Sequence, residues 1–163
     1  MIHMLIGIQG SGKTTFAKSF APTINACIVS TDSVRKSHPG IDETLVWKLV
    51  YEQVAINVKN NIELIFDATS ITPKVRKRFI DEVSKFGITP EVCAYFFETD
   101  KNECYKRVVE RNKIEGELPL PPEVVYSYSE RLIPPTFEEG FVKILIVKDS
   151  KIVEELVKDN QNN

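Results

Sequence analysis

Residues 7–14, with the sequence GIQGSGKT, constrain the fold of this chain more than any other feature. They fit the phosphate-binding loop G-x-x-x-x-G-K-[ST], following a strand-like run over residues 2–8 and preceding a helix-like run over residues 13–20. Glycines let successive backbone N–H groups point at phosphate oxygens, and the start of a helix adds partial positive charge. The pattern predicts a nucleoside triphosphate site in which Lys13 reaches the β- and γ-phosphates and the Thr14 hydroxyl binds Mg²⁺.

The composition is that of an ordinary single domain, because 42% of the 163 residues are hydrophobic and 27% are charged. The formal net charge of −2 gives no overall attraction to nucleic acid, so an anionic polymer would need a local basic patch. Three cysteines, an odd number without metal-binding spacing, indicate a reduced, cytoplasmic protein. No apolar run approaches the length of a membrane span, so we expect no membrane partner.

Strand-like and helix-like segments alternate along the chain, which predicts a mainly parallel sheet sandwiched by helices. Five strands are expected, at residues 2–8, 27–30, 62–66, 92–97 and 142–147. Helices are expected at residues 13–20, 43–60, 73–86, 102–112 and 123–132, and a last amphipathic helix at residues 152–157. We therefore predict one α/β domain over residues 1–158, with a helical lid at about 102–132 and a frayed tail at 159–163.

Polar residues follow the second and third strands, at the sheet edge where ligands bind in parallel α/β folds. Asp32, three residues before Arg35, could accept the proton of an attacking hydroxyl. Asp32 as a helix cap, with Arg35 on a solvated helix face, explains the same spacing equally well. Asp67 ends the third strand, where it could hold a Mg²⁺-bound water or orient polar neighbours; the alternative role is an Asx turn.

Two groups of basic residues add to the candidates. Arg107 and Arg111 share one face of a predicted helix, from which they could stabilise charge on a transferred phosphoryl group. A surface ion-pair ladder that includes Glu103 is the competing interpretation. A second group could hold nucleic-acid phosphates, although a solvated helix face is the commoner role of such a cluster. It comprises Lys74, Arg76, Lys77 and Arg78.

Four blocks, in chain order, resemble the polynucleotide 5′-kinase branch of the P-loop kinases. They are residues 7–15 (its G-x-x-G-S-G-K-[ST]-T loop), Asp32 with Arg35 (its D-x-x-R motif), residues 67–69 (its D-x-T motif), and Arg107 with Arg111 (its lid arginine pair). Residues 134–141 are also similar to a segment before the last strand in many small kinases of this group. The resemblance covers most of residues 4–147.

This resemblance implies the P-loop kinase fold and transfer of the γ-phosphate of ATP to a 5′-hydroxyl end of DNA or RNA. The implied ATP phosphate-binding residues are Gly10, Ser11, Gly12, Lys13, Thr14 and Thr15, and the implied catalytic residues are Lys13, Asp32 as general base, Arg107 and Arg111. The implied acceptor-binding residues are Asp32, Arg35, Asp67 and Thr69. Thr14 is implied to bind Mg²⁺ directly, with Asp67 supporting the metal through water.

Two positions depart from the pattern of the branch. Ser70 stands where the D-x-T-N form has Asn, and Gln9 stands where many members have Pro. Neither departure removes a group that the chemistry requires. The chain has no room for the phosphatase or ligase module that some polynucleotide kinases carry, so we expect a kinase alone.

Two other functions remain open at this point. A small-molecule kinase acting on a nucleoside, sugar or antibiotic hydroxyl would share the loop and the lid, and the acidic net charge favours it. Arg35 and the basic cluster instead favour an acceptor that bears phosphate. A non-catalytic ATP-binding module would need only Lys13 and Thr14, so the presence of Asp32 and both lid arginines argues against it.

Overall fold

The computed structural model describes residues 1–158, and these residues form one six-stranded sheet with helices on both faces. The strands are β1 (Ile2–Ile6), β2 (Cys27–Ser30), β3 (Leu64–Asp67), β4 (Val92–Phe97), β5 (Lys143–Lys148) and β6 (Lys151–Glu155). Their spatial order is β2-β3-β1-β4-β5-β6, with every pair parallel except β5 and β6. The predicted α/β class with a mainly parallel sheet is therefore confirmed.

Six α-helices and two short 3₁₀ turns connect the strands in the described part of the chain. The helices are α1 (Lys13–Phe20), α2 (Thr31–Ser37), α3 (Glu43–Lys59), α4 (Pro73–Ser84), α5 (Lys101–Arg111) and α6 (Val124–Arg131), and the 3₁₀ turns are Ala21–Ile24 and Phe137–Glu139. Asp42 caps α3 by accepting a hydrogen bond from the Thr44 N–H at 2.9 Å. Ser30, not Asp32, caps α2, so the interpretation of Asp32 as a helix cap is wrong.

The two faces of the sheet bury separate apolar cores. On one face, Ile2, Met4 and Ile6 of β1 pack with the apolar sides of α3 and α4, and the Phe66 and Phe79 rings stack with centroids 4.1 Å apart. On the other face, Leu5 packs with α1 residues. Because β1 is buried on both faces, it reads as a continuous apolar run, which is the pattern of an interior parallel strand.

The predicted last helix at residues 152–157 is wrong, and the predicted count of five strands is one too low. Asp149 and Ser150 adopt positive φ angles of 47° and 59° and form a tight turn, after which β6 pairs antiparallel with β5. Pairing satisfies backbone groups at the edge of β5. All five residues of β6 are exposed, so its apolar side chains do not form the buried face of a helix.

The basic cluster at the start of α4 is not a single exposed patch. Arg76 is 1% exposed, and its guanidinium pairs with both carboxylate oxygens of Glu139 at 2.7 Å. It also donates to the Ser70 and Ile133 carbonyls at 3.0 Å. Both interpretations of the cluster, a nucleic-acid patch and a solvated helix face, are therefore wrong for Arg76. The neighbouring Val75 is 42% exposed.

Two expectations concern features outside the core. Within residues 1–158, no helix combines the length and the apolar character needed to cross a membrane. The predicted frayed tail, residues 159–163, lies outside the described residues.

Replacing Arg76 by Met should destabilise the fold by about 3 kcal/mol, because it leaves the Glu139 carboxylate and two carbonyls without their partner. Urea denaturation followed by circular dichroism measures this. The matched control is Lys77→Met, which breaks the exposed ion pair with Asp81 on the same helix and should cost less than about 1 kcal/mol. Equal losses for the two variants would show that the Arg76 pair is not a structural anchor.

Candidate active site

A cavity of about 1060 Å³ lies at the carboxyl ends of the parallel strands. The phosphate-binding loop forms its floor, the segments after β2 and β3 form one wall, and residues of α5 and α6 form the opposite wall. This is the sheet edge at which ligands bind in such folds. The predicted site residues that line it are Gly10, Gly12, Lys13, Thr14, Thr15, Asp32, Arg35, Asp67, Thr69, Arg107 and Arg111.

The loop is held against α5 through its backbone. Gly10 has a φ of 77°, and a Cβ atom there would lie 2.4 Å from the Cys104 carbonyl oxygen of α5. No residue other than glycine fits that contact. Ser11 is buried, and its carbonyl accepts a hydrogen bond from the Thr99 hydroxyl at 3.1 Å. Gly12, with a φ of 96°, precedes the first residue of α1.

Lys13 is buried beneath the loop, although a lysine side chain is usually charged and exposed to solvent. Its Nζ donates to the Ile8 carbonyl at 2.7 Å and to the Ser11 hydroxyl at 3.4 Å. Burial lowers the pKa of Lys13 from 10.5 to about 8, and the nearby carboxylates of Asp67 and Asp32 oppose that effect. A phosphate group entering the cavity would supply the anionic partner that this amine lacks.

Thr14 and Asp67 form a direct contact between the loop and the end of β3. The Thr14 hydroxyl donates to Asp67 Oδ2 at 2.7 Å. Burial raises the pKa of the Asp67 carboxyl above its usual value, while Lys13 and the hydroxyl of Thr14 act in the opposite direction. The two side chains offer hard oxygen atoms of the kind that Mg²⁺ prefers. Thr69, two residues further, lines the cavity, and its carbonyl accepts from the Gly7 N–H at 3.0 Å.

Asp32 lies in the first turn of α2, exposed to the cavity, and is engaged by Arg35. Arg35 Nη1 donates to Asp32 Oδ1 at 2.8 Å. The same guanidinium donates through Nε to Glu43 Oε2 at 3.2 Å and through Nη2 to Glu43 Oε1 at 2.5 Å. Arg35 is therefore not on an unpaired solvated face, and Glu43 is a member of the site that sequence reasoning missed.

The two arginines of α5 both reach the cavity but differ in their contacts. Arg107 Nη1 donates to the Gly10 carbonyl at 3.3 Å, and its Nε donates to Glu103 Oε1 at 3.1 Å. The contacts of Arg107 thus fit both interpretations of the pair, because Arg107 contacts the phosphate-binding loop and also forms an ion pair with Glu103. Arg111 Nε is buried without a hydrogen-bond partner among the described residues. A buried unpaired donor facing a cavity is suited to an anionic ligand.

Aromatic residues also line the cavity, and sequence reasoning did not single them out. Trp47 of α3 and Tyr128 of α6 both line it. The Arg131 guanidinium lies 4.6 Å from the centroid of the Tyr128 ring, a cation–π contact. These residues come from separate helices with no shared motif.

Residues 2–135 match the family described as AAA domain. The chain belongs to the AAA domain family. The matched region holds the loop, the segments after β2 and β3, and the arginines of α5. The comparison with curated proteins found no match.

Solved structures with the same fold include several kinases. Kti12 from Chaetomium thermophilum, in complex with ADP–AlF₃, has a TM-score of 0.70 at 14% identity over 91% of this chain and 89% of that one. A gluconokinase from Sinorhizobium meliloti has a TM-score of 0.59 at 15% identity, with coverages of 91% and 82%. The Pnkp1/Rnl/Hen1 complex has a TM-score of 0.57 at 23% identity, with coverages of 72% and 40%. The chain therefore has the P-loop kinase fold, which implies nucleotide binding.

The lowered pKa of Lys13 makes nucleotide affinity depend on pH. In the free protein Lys13 loses its charge above pH 8, whereas a bound phosphate favours the protonated amine, so proton uptake accompanies binding. The dissociation constant for ATP should therefore rise as the pH increases from about 8 to about 9.5, by up to about tenfold per unit. Isothermal titration calorimetry at several pH values measures this.

The control for that titration is Lys13→Arg, because a guanidinium keeps its charge throughout the range. Its affinity for ATP is expected to be lower but nearly independent of pH. A flat profile for the wild-type protein, or the same slope in both proteins, would show that Lys13 does not titrate at the phosphate site.

Proposed function

We propose that this protein is an ATP-dependent kinase that transfers the γ-phosphate to the 5′-hydroxyl end of a DNA or RNA strand. The observation that carries the proposal is the arrangement of one cavity. Asp32 and Arg35 lie at one end of it, while Lys13, Thr14 and the arginines of α5 lie around the phosphate-binding loop. The four blocks that resemble the polynucleotide kinase branch are thus brought to a single site.

The donor side of the cavity is built for a triphosphate. Backbone N–H groups of the loop and the Lys13 amine bind the β- and γ-phosphates, and Arg107, fixed to the loop carbonyl at 3.3 Å, lies beside them. Thr14 and Asp67 would hold Mg²⁺, which offsets phosphate charge when bound.

Asp32 acts as the general base in the proposed reaction. Its carboxylate is exposed in the cavity and accepts the hydroxyl proton as the acceptor oxygen forms its bond to the γ-phosphorus. The bond from that phosphorus to the leaving oxygen of ADP breaks, and ADP departs with the electron pair. Arg107 and Arg111 stabilise the negative charge on the transferring group. The Arg35 guanidinium binds the phosphate next to the acceptor hydroxyl.

A kinase that acts on a small-molecule hydroxyl is the second candidate, and one observation favours it. Glu43 already occupies the guanidinium of Arg35, and Arg76 is buried, so these two cations are not free to bind an anionic acceptor. The gluconokinase among the structures of the same fold acts on a small molecule by its name. Transfer to a non-nucleic hydroxyl would use the same donor side and the same Asp32.

The deciding assay is transfer of label from γ-labelled ATP, with Mg²⁺, to a short oligonucleotide that ends in a 5′-hydroxyl. The same oligonucleotide carrying a 5′-phosphate is the control. We expect label only on the oligonucleotide that ends in a 5′-hydroxyl, in the DNA series, the RNA series or both. Absence of label, with folded protein that binds ATP, would exclude the polynucleotide activity and favour the small-molecule acceptor.

Asp32→Asn should lower the turnover number by about 100-fold or more while ATP affinity stays nearly unchanged, since only the proton acceptor is removed. Steady-state transfer kinetics and a calorimetric ATP titration measure the two effects. Asp42→Asn serves as the matched control, because it removes a nearby carboxylate outside the cavity. Wild-type turnover in the Asp32 variant would rule out the base role.

A further inference from the structure

A second cavity, of about 520 Å³, adjoins the end of the candidate active site where Asp32 lies. Arg35, Glu43 and Leu118 line both cavities, so the ion pair of Arg35 and Glu43 stands in their common wall. Apart from these two residues, the titratable groups that line the second cavity are Lys36 and His38. The path from Asp32 past Arg35 therefore leads into the second cavity, where Lys36 Nζ donates to Glu117 Oε2 at 3.1 Å.

Glu43 occupies the face of the guanidinium that a phosphate would use. A planar guanidinium binds carboxylate or phosphate best through two parallel N–H donors, and Nε and Nη2 of Arg35 both go to Glu43. The remaining bond, from Nη1, goes to Asp32. Two carboxylates against one guanidinium leave this cluster with an excess of negative charge, which repels an anionic acceptor.

We propose that Glu43 is a specificity-determining residue of the acceptor site, a role that rests on the proposed function. In the free protein it holds the Arg35 guanidinium, and the phosphate next to the acceptor hydroxyl must displace it to bind. An acceptor that lacks this phosphate leaves the pair intact and gains nothing from Arg35. The strand beyond the phosphate then continues into the second cavity, beside Lys36.

The exposure of the pair makes this exchange feasible. The side chain of Glu43 is 59% exposed and that of Arg35 is 32% exposed, so water solvates the carboxylate once it is released. Exposed ion pairs stabilise proteins little, which keeps the cost of displacement low. By contrast, the buried pair of Arg76 and Glu139 could not be opened in this way.

The first test compares two acceptors, a nucleoside 3′-monophosphate and the same nucleoside without phosphate, in the labelled-ATP assay. Glu43→Gln should lower KM for the phosphorylated acceptor about fivefold relative to KM for the plain nucleoside. In an Arg35→Gln background the same substitution should leave the ratio of the two KM values unaltered, because the guanidinium for which Glu43 and the phosphate compete is absent. The matched control is Glu82→Gln, which breaks the exposed ion pair with Lys85 on α4 and lies outside both cavities.

An equal change in KM for both acceptors, or no change for either, would overturn the role of Glu43. Absence of transfer to these acceptors and to the 5′-hydroxyl oligonucleotide would instead refute the proposed function, and a binding measurement then decides the role of Glu43 alone. Trp47, the single tryptophan of the chain, lines the cavity one helical turn after Glu43 and reports binding through its fluorescence. The dissociation constant of the nucleoside 3′-monophosphate should fall about fivefold in Glu43→Gln; equal constants in both proteins would contradict the proposal.

Discussion

The central position of β1 in the parallel sheet is the constraint on which the candidate active site depends. β1 is hydrogen-bonded to β3 on one side and β4 on the other, so the loop that follows it emerges in the middle of the carboxyl edge. β2 pairs with β3 in a register that places Ser30 opposite Asp67. The segment that begins with Thr31 and Asp32 therefore starts beside the carboxylate that contacts Thr14. Strand order alone brings together three blocks that are distant in sequence.

A second constraint joins the loop to the helix that carries the arginines. Gly10 meets the Cys104 carbonyl with no space for a side chain, and Arg107 donates back to the Gly10 carbonyl one turn further along α5. The start of the predicted lid is thus packed on the phosphate-binding loop. Arg111, one turn beyond Arg107, lines the same cavity. The contact between the phosphate-binding loop and α5 places the two arginines at the cavity. Their spacing of four residues predicts only that they share one face of the helix.

The parts that could be predicted from sequence are those with local signals. The loop, the interior strands and α3 follow from glycine spacing, continuous apolar runs and an Asp cap, and Asp67 follows from its place at a strand end. Arg76 could not be predicted, because its burial depends on Glu139, which is 63 residues away. The residues at 152–157 were misread because apolar spacing implies a buried face, and exposed strand β6 has none.

The two halves of the cavity differ in how tightly they are determined. The donor half consists of backbone N–H groups, the buried Lys13 and the contact between the Thr14 hydroxyl and the buried Asp67 carboxylate. The acceptor half consists of exposed charged side chains on α2 and α3 and of aromatic walls from α3 and α6. Exposed charges exchange partners at low cost, whereas buried ones do not. On the proposed function, selection among hydroxyl acceptors would reside in which group holds Arg35, and phosphate binding in the loop could stay constant while the acceptor changes.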